Sequence, residues 1–122
     1  MPKIIVVDDD KTSTTLFEQV LLMSKYEVIT LNESWKTLET VIAEKPDLII
    51  LDLMMSEPDG FKVCRMLRAD PQFRRTPIVI VTALNDLDSQ LVAMGAGAND
   101  YLVKPFHIEQ LYAMIEKQLN KV

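Results

Sequence analysis

Cysteine is almost missing from this sequence. Cys64 stands alone, so no internal disulfide can form, and the residue reads as a small apolar side chain of the core. Histidine is equally scarce, with His107 the only one; together with a single thiol this leaves too few soft ligands for a zinc site. Only three glycines are spread over 122 residues while 48% of side chains are hydrophobic, which excludes a disordered chain and indicates one globular domain over 1–122. Positive charge is in deficit. Thirteen Lys and Arg against eighteen Asp and Glu leave a net charge of -5, which removes the electrostatic basis for direct contact with nucleic acid or an anionic membrane. No apolar run approaches membrane-spanning length, and the start MPKIIVVDDD meets acids too early for a signal peptide, so a cytoplasmic location is expected. The end at NKV leaves open whether an output domain follows.

What the chain does have is alternation. Short Ile- and Val-rich runs at Lys3–Val7, Tyr26–Leu31, Asp47–Leu51, Pro77–Val81 and Asp100–Val103 read as strands. Between and after them lie stretches of helical spacing, marked by Leu16, Val20 and Met23; Leu38, Val41 and Ile42; Phe61, Cys64 and Leu67; Leu87, Leu91 and Met94; and Leu111, Ile115 and Leu119. Asp10 suits an N-cap, Pro58 and Gly60 bracket a loop, and Gly95 can end the fourth helix. Five βα units joined by right-handed crossovers give a single flavodoxin-like, doubly wound α/β domain, with a five-stranded parallel sheet in the order 2-1-3-4-5 and helices on both faces. Trp35 reads as packing or exposed surface far from any site.

In such a sheet, ligand chemistry gathers at the carboxyl ends of the strands. The first strand ends at Asp8 and Asp9, the third at Asp52, the fourth at Thr82 and the fifth at Lys104 followed by Pro105. The second brings nothing comparable, ending on Asn32 and Glu33. Three carboxylates on one rim repel one another, so positive charge must sit among them. A hard divalent cation with oxygen ligands answers this, Mg²⁺ first and Mn²⁺ as the alternative; Lys104 adds an ammonium and Thr82 a hydroxyl. A carboxylate, a cation, an ammonium and a hydroxyl around one open point form a receptor for a phosphoryl group, with Asp52 as the nucleophilic acceptor.

The pieces IIVVDDD, DLIILDLMM with Asp59-Gly60 ending eight residues after the acceptor, PIVIVTA and DYLVKPF, in this order and over essentially the whole chain, resemble the receiver domain of two-component response regulators, including its stand-alone chemotaxis members. The resemblance implies a bacterial phosphorelay protein that is a switch rather than an enzyme acting on an external substrate. It implies that Asp52 is phosphorylated by a histidine kinase or phosphotransfer protein. It further implies that Asp9 binds the metal directly, that Asp8 acts mainly through water, and that the Met54 backbone carbonyl completes the protein ligands. Lys104 would pair with phosphoryl oxygens across a cis bond to Pro105, and Thr82 would close on the phosphoryl group. Tyr101 would then swing inward, remodelling the face of the fourth helix, fifth strand and fifth helix for a downstream protein or output domain. Homodimerisation is left open; neither of those two helices contains arginine.

The chain departs from the family pattern at three places. Ser56 stands where members often carry proline, and Pro58 lies two further on. Met54 and Leu84, two residues past the acceptor and the switch threonine, are both apolar, so slow autodephosphorylation is expected. An aspartyl-nucleophile hydrolase of the dehalogenase type would need a second Asp where Met54 stands, and the intact acids, Thr82 and Lys104 argue against a degenerate binding module.

Overall fold

In the computed structural model, which describes residues 1–120, each apolar run of the sequence becomes a strand. The last two residues of the expected 1–122 span lie outside the described residues. The elements run β1 (Lys3–Val7), α1 (Lys11–Met23), β2 (Glu27–Leu31), α2 (Thr37–Glu44), β3 (Leu48–Leu51), α3 (Gly60–Ala69), β4 (Ile78–Thr82), α4 (Leu87–Gly95), β5 (Asp100–Val103) and α5 (Ile108–Leu119). One-turn 3-10 helices at Ser34–Lys36 and Pro71–Phe73 precede α2 and β4. The strands form one parallel sheet in the order β2-β1-β3-β4-β5.

The central strands β1, β3 and β4 are apolar on both faces because helices cover both faces. Alternate residues go to opposite sides. Ile5, Val7, Ile49, Leu51, Ile78 and Ile80 pack toward Val41 of α2, Val63, Cys64 and Leu67 of α3, and Ala93 of α4. Ile4, Val6, Leu48, Ile50, Val79 and Val81 pack toward Phe17, Val20 and Leu21 of α1 and Leu111, Met114 and Ile115 of α5. Burial at 20–33 cal/mol per Å² of apolar surface makes these two layers the main stabilising term.

Three helices turn part of the expected spacing outward, α2 only at Ile42 and α1 and α4 more extensively. In α1, Leu16 and Met23 are exposed and the core is filled instead by Phe17, Val20 and Leu21. In α4, Leu87, Leu91 and Met94 all face outward, and only Ala93 is buried. The helix α4 packs on the domain through a small side chain and leaves its large ones at the surface. The helix α4 ends at Gly95, as expected, and the left-handed position lies two residues on at Gly97, at φ +114°. Arg68 of α3 reaches this turn, donating to the Gly97 carbonyl at 2.9 Å, the Phe73 and Thr76 carbonyls at 2.6 and 2.7 Å, and Asn99 Oδ1 at 2.6 Å. It ties the end of α3, the entry to β4 and the α4–β5 turn together.

Candidate functional site at the carboxyl rim

The register of the sheet decides which side chains meet at its rim. Val7 pairs with Leu31 on one side and Leu51 on the other, so the next residues along, Asp8 and Asp52, leave neighbouring strands at the same level. Their backbones extend the ladder by one bond each, Asp8 N donating to the Leu31 carbonyl and Asp52 N to the Val7 carbonyl, both at 3.0 Å. Both residues are buried, Asp8 to 1% exposure and Asp52 to 7%. One oxygen of each carboxylate is taken up locally: Asp8 Oδ1 accepts from Asp10 N at 2.9 Å and Asp52 Oδ1 from Met54 N at 3.0 Å. The other oxygen of each faces Lys104, whose Nζ lies 2.7 Å from Asp8 Oδ2 and 3.2 Å from Asp52 Oδ2. Ser13 Oγ, 3.4 Å away, completes the surroundings of the ammonium.

Two carboxylates against one ammonium leave the pocket short of positive charge. Burial raises the Asp8 carboxyl above its ordinary value, assisted by the charge of Asp52 and opposed by the Lys104 hydrogen bond. For Lys104, burial acts to lower the ammonium, but the hydrogen bond to Asp8 and the charges of Asp52 and Asp8 outweigh it, and the net direction is upward. The donor chemistry of the rim, carboxylate oxygens with neither thiol nor imidazole, fits a hard divalent cation. Among the described residues no three acidic, His or Cys side chains stand together as a ready metal cluster. Lys104 holds the place between Asp8 and Asp52, while Asp9 is exposed at the turn into α1.

Thr82, the last residue of β4, is fully buried, and its Oγ1 accepts from Leu84 N at 3.4 Å. Tyr101 of β5 is half-buried, and its hydroxyl donates to the Leu84 carbonyl at 2.8 Å. Its phenol is pushed up, chiefly by burial. The β4–α4 loop is therefore held at one residue, Leu84, by Thr82 from below and Tyr101 from the side. The Lys104–Pro105 peptide is cis, and so is Glu57–Pro58 in the loop after Asp52. Gly60 is required by close approach: a Cβ there would lie 2.2 Å from the Asp52 carbonyl oxygen and 2.6 Å from Leu53 Cα. Asp10 caps α1 by accepting from Thr12 N at 2.9 Å.

One expectation needs correction. The second strand does deliver to the rim: the Asn32 amide donates to the Asp8 carbonyl and to Thr14 Oγ1, both at 2.9 Å. Trp35 is 61% exposed, on the surface as one of the two expected readings has it, and the neighbouring Ser34 donates to the Ser56 carbonyl of the loop after Asp52 at 2.9 Å. The sequence pattern passed over Asn32 because it sought groups that could meet a phosphoryl group or a cation; an amide that serves a backbone carbonyl is not one of these.

Fold and rim together define a flavodoxin-like domain with a lysine-bridged pair of buried carboxylates at the carboxyl ends of its strands. The chain belongs to the response regulator receiver domain family, whose model matches residues 4–116. It is 36% identical over 121 residues to the "DNA-binding dual master transcriptional regulator RpaA" of Synechocystis, covering 99% of this chain and 50% of that protein. It is 37% identical to the "alkaline phosphatase synthesis transcriptional regulatory protein PhoP" of Bacillus subtilis, covering 98% of this chain and 49% of that one. The chain thus spans about half the length of these curated relatives. Among solved structures, the BeF3-activated N-terminal receiver domain of Klebsiella pneumoniae RstA superposes with a TM-score of 0.91 at 32% identity, over 98% of this chain and 99% of that one. Receiver domains of this family act as phosphorylation-dependent switches in two-component signalling. Among the described residues no helix is long and apolar enough to cross a membrane.

Proposed function

We propose that this domain is a switch in which Asp52 takes a phosphoryl group from the phosphohistidine of a histidine kinase or phosphotransfer protein in the bacterial cytoplasm. The observation that carries this reading is the Lys104 ammonium lying 2.7 and 3.2 Å from two buried carboxylates at the sheet's carboxyl rim. An Asp52 oxygen forms a new P–O bond as the donor's P–N bond breaks, and the electron pair returns to the imidazole nitrogen. Lys104, already beside Asp52, pairs with the incoming phosphoryl oxygens. Asp8, Asp9, Asp52 and the Met54 carbonyl would hold Mg²⁺ or Mn²⁺, which supplies the positive charge that the pocket lacks.

The readout begins at Thr82. Its hydroxyl leaves Leu84 N to donate to a phosphoryl oxygen, which frees the β4–α4 loop and lets the Tyr101 ring move with it. The exposed Leu87, Leu91 and Val92 of α4 lie on the surface that this remodels. We assign the α4–β5–α5 face to a downstream protein, an output domain or a second copy of the chain. The domain catalyses its own phosphorylation and a slow autodephosphorylation, and acts on no external substrate. Incubating wild type and Asp52→Asn with acetyl phosphate, with and without Mg²⁺, and following intact mass tests the chemistry. One metal-dependent phosphoryl adduct, absent from the variant, is expected; no adduct on wild type while a control receiver is modified would overturn the reading.

A further inference from the structure

The β1 ladder toward β2 ends at Val7 and Leu31, with one further bond from Asp8 N, so the Asp8 carbonyl has no strand partner left. It belongs to a residue only 1% exposed, where a carbonyl without a donor is costly. The Asn32 amide fills this gap with one hydrogen at 2.9 Å and places the other on Thr14 Oγ1, also at 2.9 Å. Thr14 is itself buried in the first turn of α1, and its hydroxyl donates to the Lys11 carbonyl at 3.1 Å. A single side chain from the edge strand therefore closes the corner between β1 and α1.

That corner carries the acids. The direction of the Asp8 carbonyl sets the Asp8–Asp9 peptide plane, because the peptide unit is rigid, and so sets where Asp9 leaves the chain. Asp9 is exposed, and its carboxylate takes part in none of the hydrogen bonds or ion pairs among the described residues, so its direction rests on the backbone. Asp8, by contrast, is also held by Asp10 N and Lys104.

We infer that Asn32 is a positioning residue for the divalent cation: by fixing the Asp8–Asp9 peptide it preorganises the acidic corner, and it touches neither the phosphoryl group nor the metal. This rests on the proposed role of Asp8 and Asp9 as metal ligands. Groups that orient ligands from outside the coordination shell typically change metal affinity 10- to 100-fold when removed.

The test is Mg²⁺ affinity of the unphosphorylated protein by titration calorimetry, with thermal stability measured in parallel. Asn32→Ala should bind Mg²⁺ about tenfold more weakly. Its phosphorylation by acetyl phosphate should be slow at low Mg²⁺ and recover at saturating Mg²⁺. Thr37→Ala, which removes a comparably buried hydroxyl bond to the Ser34 carbonyl at 2.7 Å, serves as the control for general loosening and should keep wild-type affinity. If Asn32→Ala does not fold, Asn32→Thr, which retains a hydroxyl donor, should show a smaller loss in the same direction. Wild-type affinity in a folded Asn32 variant, or an equal loss in Thr37→Ala, overturns the inference. Failure of the wild type itself to bind Mg²⁺ overturns instead the metal-site reading on which it rests.

Discussion

Replacing Lys104 with methionine tests the electrostatic account of the rim directly. The substitution keeps most of the aliphatic stem and removes the ammonium that lies 2.7 Å from Asp8 and 3.2 Å from Asp52. Removing one partner of a buried pair costs about 3–5 kcal/mol, because the other charge is left without compensation. Here the Lys104 side chain keeps 22% of its exposure, so water reaches the vacated position, and roughly 2–3 kcal/mol is the appropriate figure for this pocket. At about 3–5 °C per kcal/mol for a domain of this size, the melting temperature should fall by roughly 6–15 °C at neutral pH.

The pH dependence gives this prediction its distinguishing signature. Asp8 already has its carboxyl raised by burial, and the Lys104 hydrogen bond is the largest influence opposing that rise. Without Lys104 the folded-state value climbs further above 3.8, so the folded variant binds a proton that the unfolded chain has released. This contribution to the variant's stability therefore grows as pH falls through the raised folded-state value, and the deficit against wild type should shrink on acidification from neutral pH. At the alkaline end the wild type loses its advantage. Lys104 has a folded value raised above 10.5, so its contribution is complete below 10.5 and disappears as pH rises through the folded value. Calorimetric melting across this range reads both effects. An unchanged melting temperature at neutral pH, or a deficit that stays constant on acidification, would refute the argument that Lys104 compensates two buried carboxylates.

Other perturbations test the same geometry. Gly60→Ala sets a methyl group against the Asp52 carbonyl and Leu53 backbone, neither of which can yield as a flexible side chain would; a loss of about 1–3 kcal/mol in urea unfolding and slower Asp52 phosphorylation are expected, and wild-type behaviour would show that the acceptor loop has slack. Arg68→Ala leaves the Gly97, Phe73 and Thr76 carbonyls without their donor and should cost about 2–3 kcal/mol, with faster amide exchange in the α4–β5 turn; unchanged exchange there would mean that the turn holds itself. Met54 and Leu84 present no polar side chain to orient an attacking water, so the phosphoryl half-life in wild type should exceed that of a Met54→Asn, Leu84→Lys double variant, and the reverse order would remove this explanation for slow loss.

Most of the fold was legible because it is written in short-range pattern. Five β-rich apolar runs separated by helical spacing leave the doubly wound sheet as the economical arrangement, and Asp8, Asp52, Thr82 and Lys104 announce themselves by their places at the ends of such runs. Helix rotation was less legible: α4 meets its neighbours through Ala93, so the apolar residues that signalled the helix are the ones it exposes. Asn32 was missed for a related reason, since an amide that serves a backbone carbonyl leaves no charge pattern to read.

The sequence by itself determined the order and type of the elements and the residues at each strand's end, because periodicity and turn chemistry act over a few neighbouring positions. Only the tertiary structure decided how those ends interact. The register of β1 against β2 and β3 brings Asp8, Asp52 and Asn32 to one level, and Lys104 arrives from 96 residues away to lie between the two carboxylates. Burial and pairing of charge depend on distances across the sheet, and those distances exist only once the chain has closed on itself.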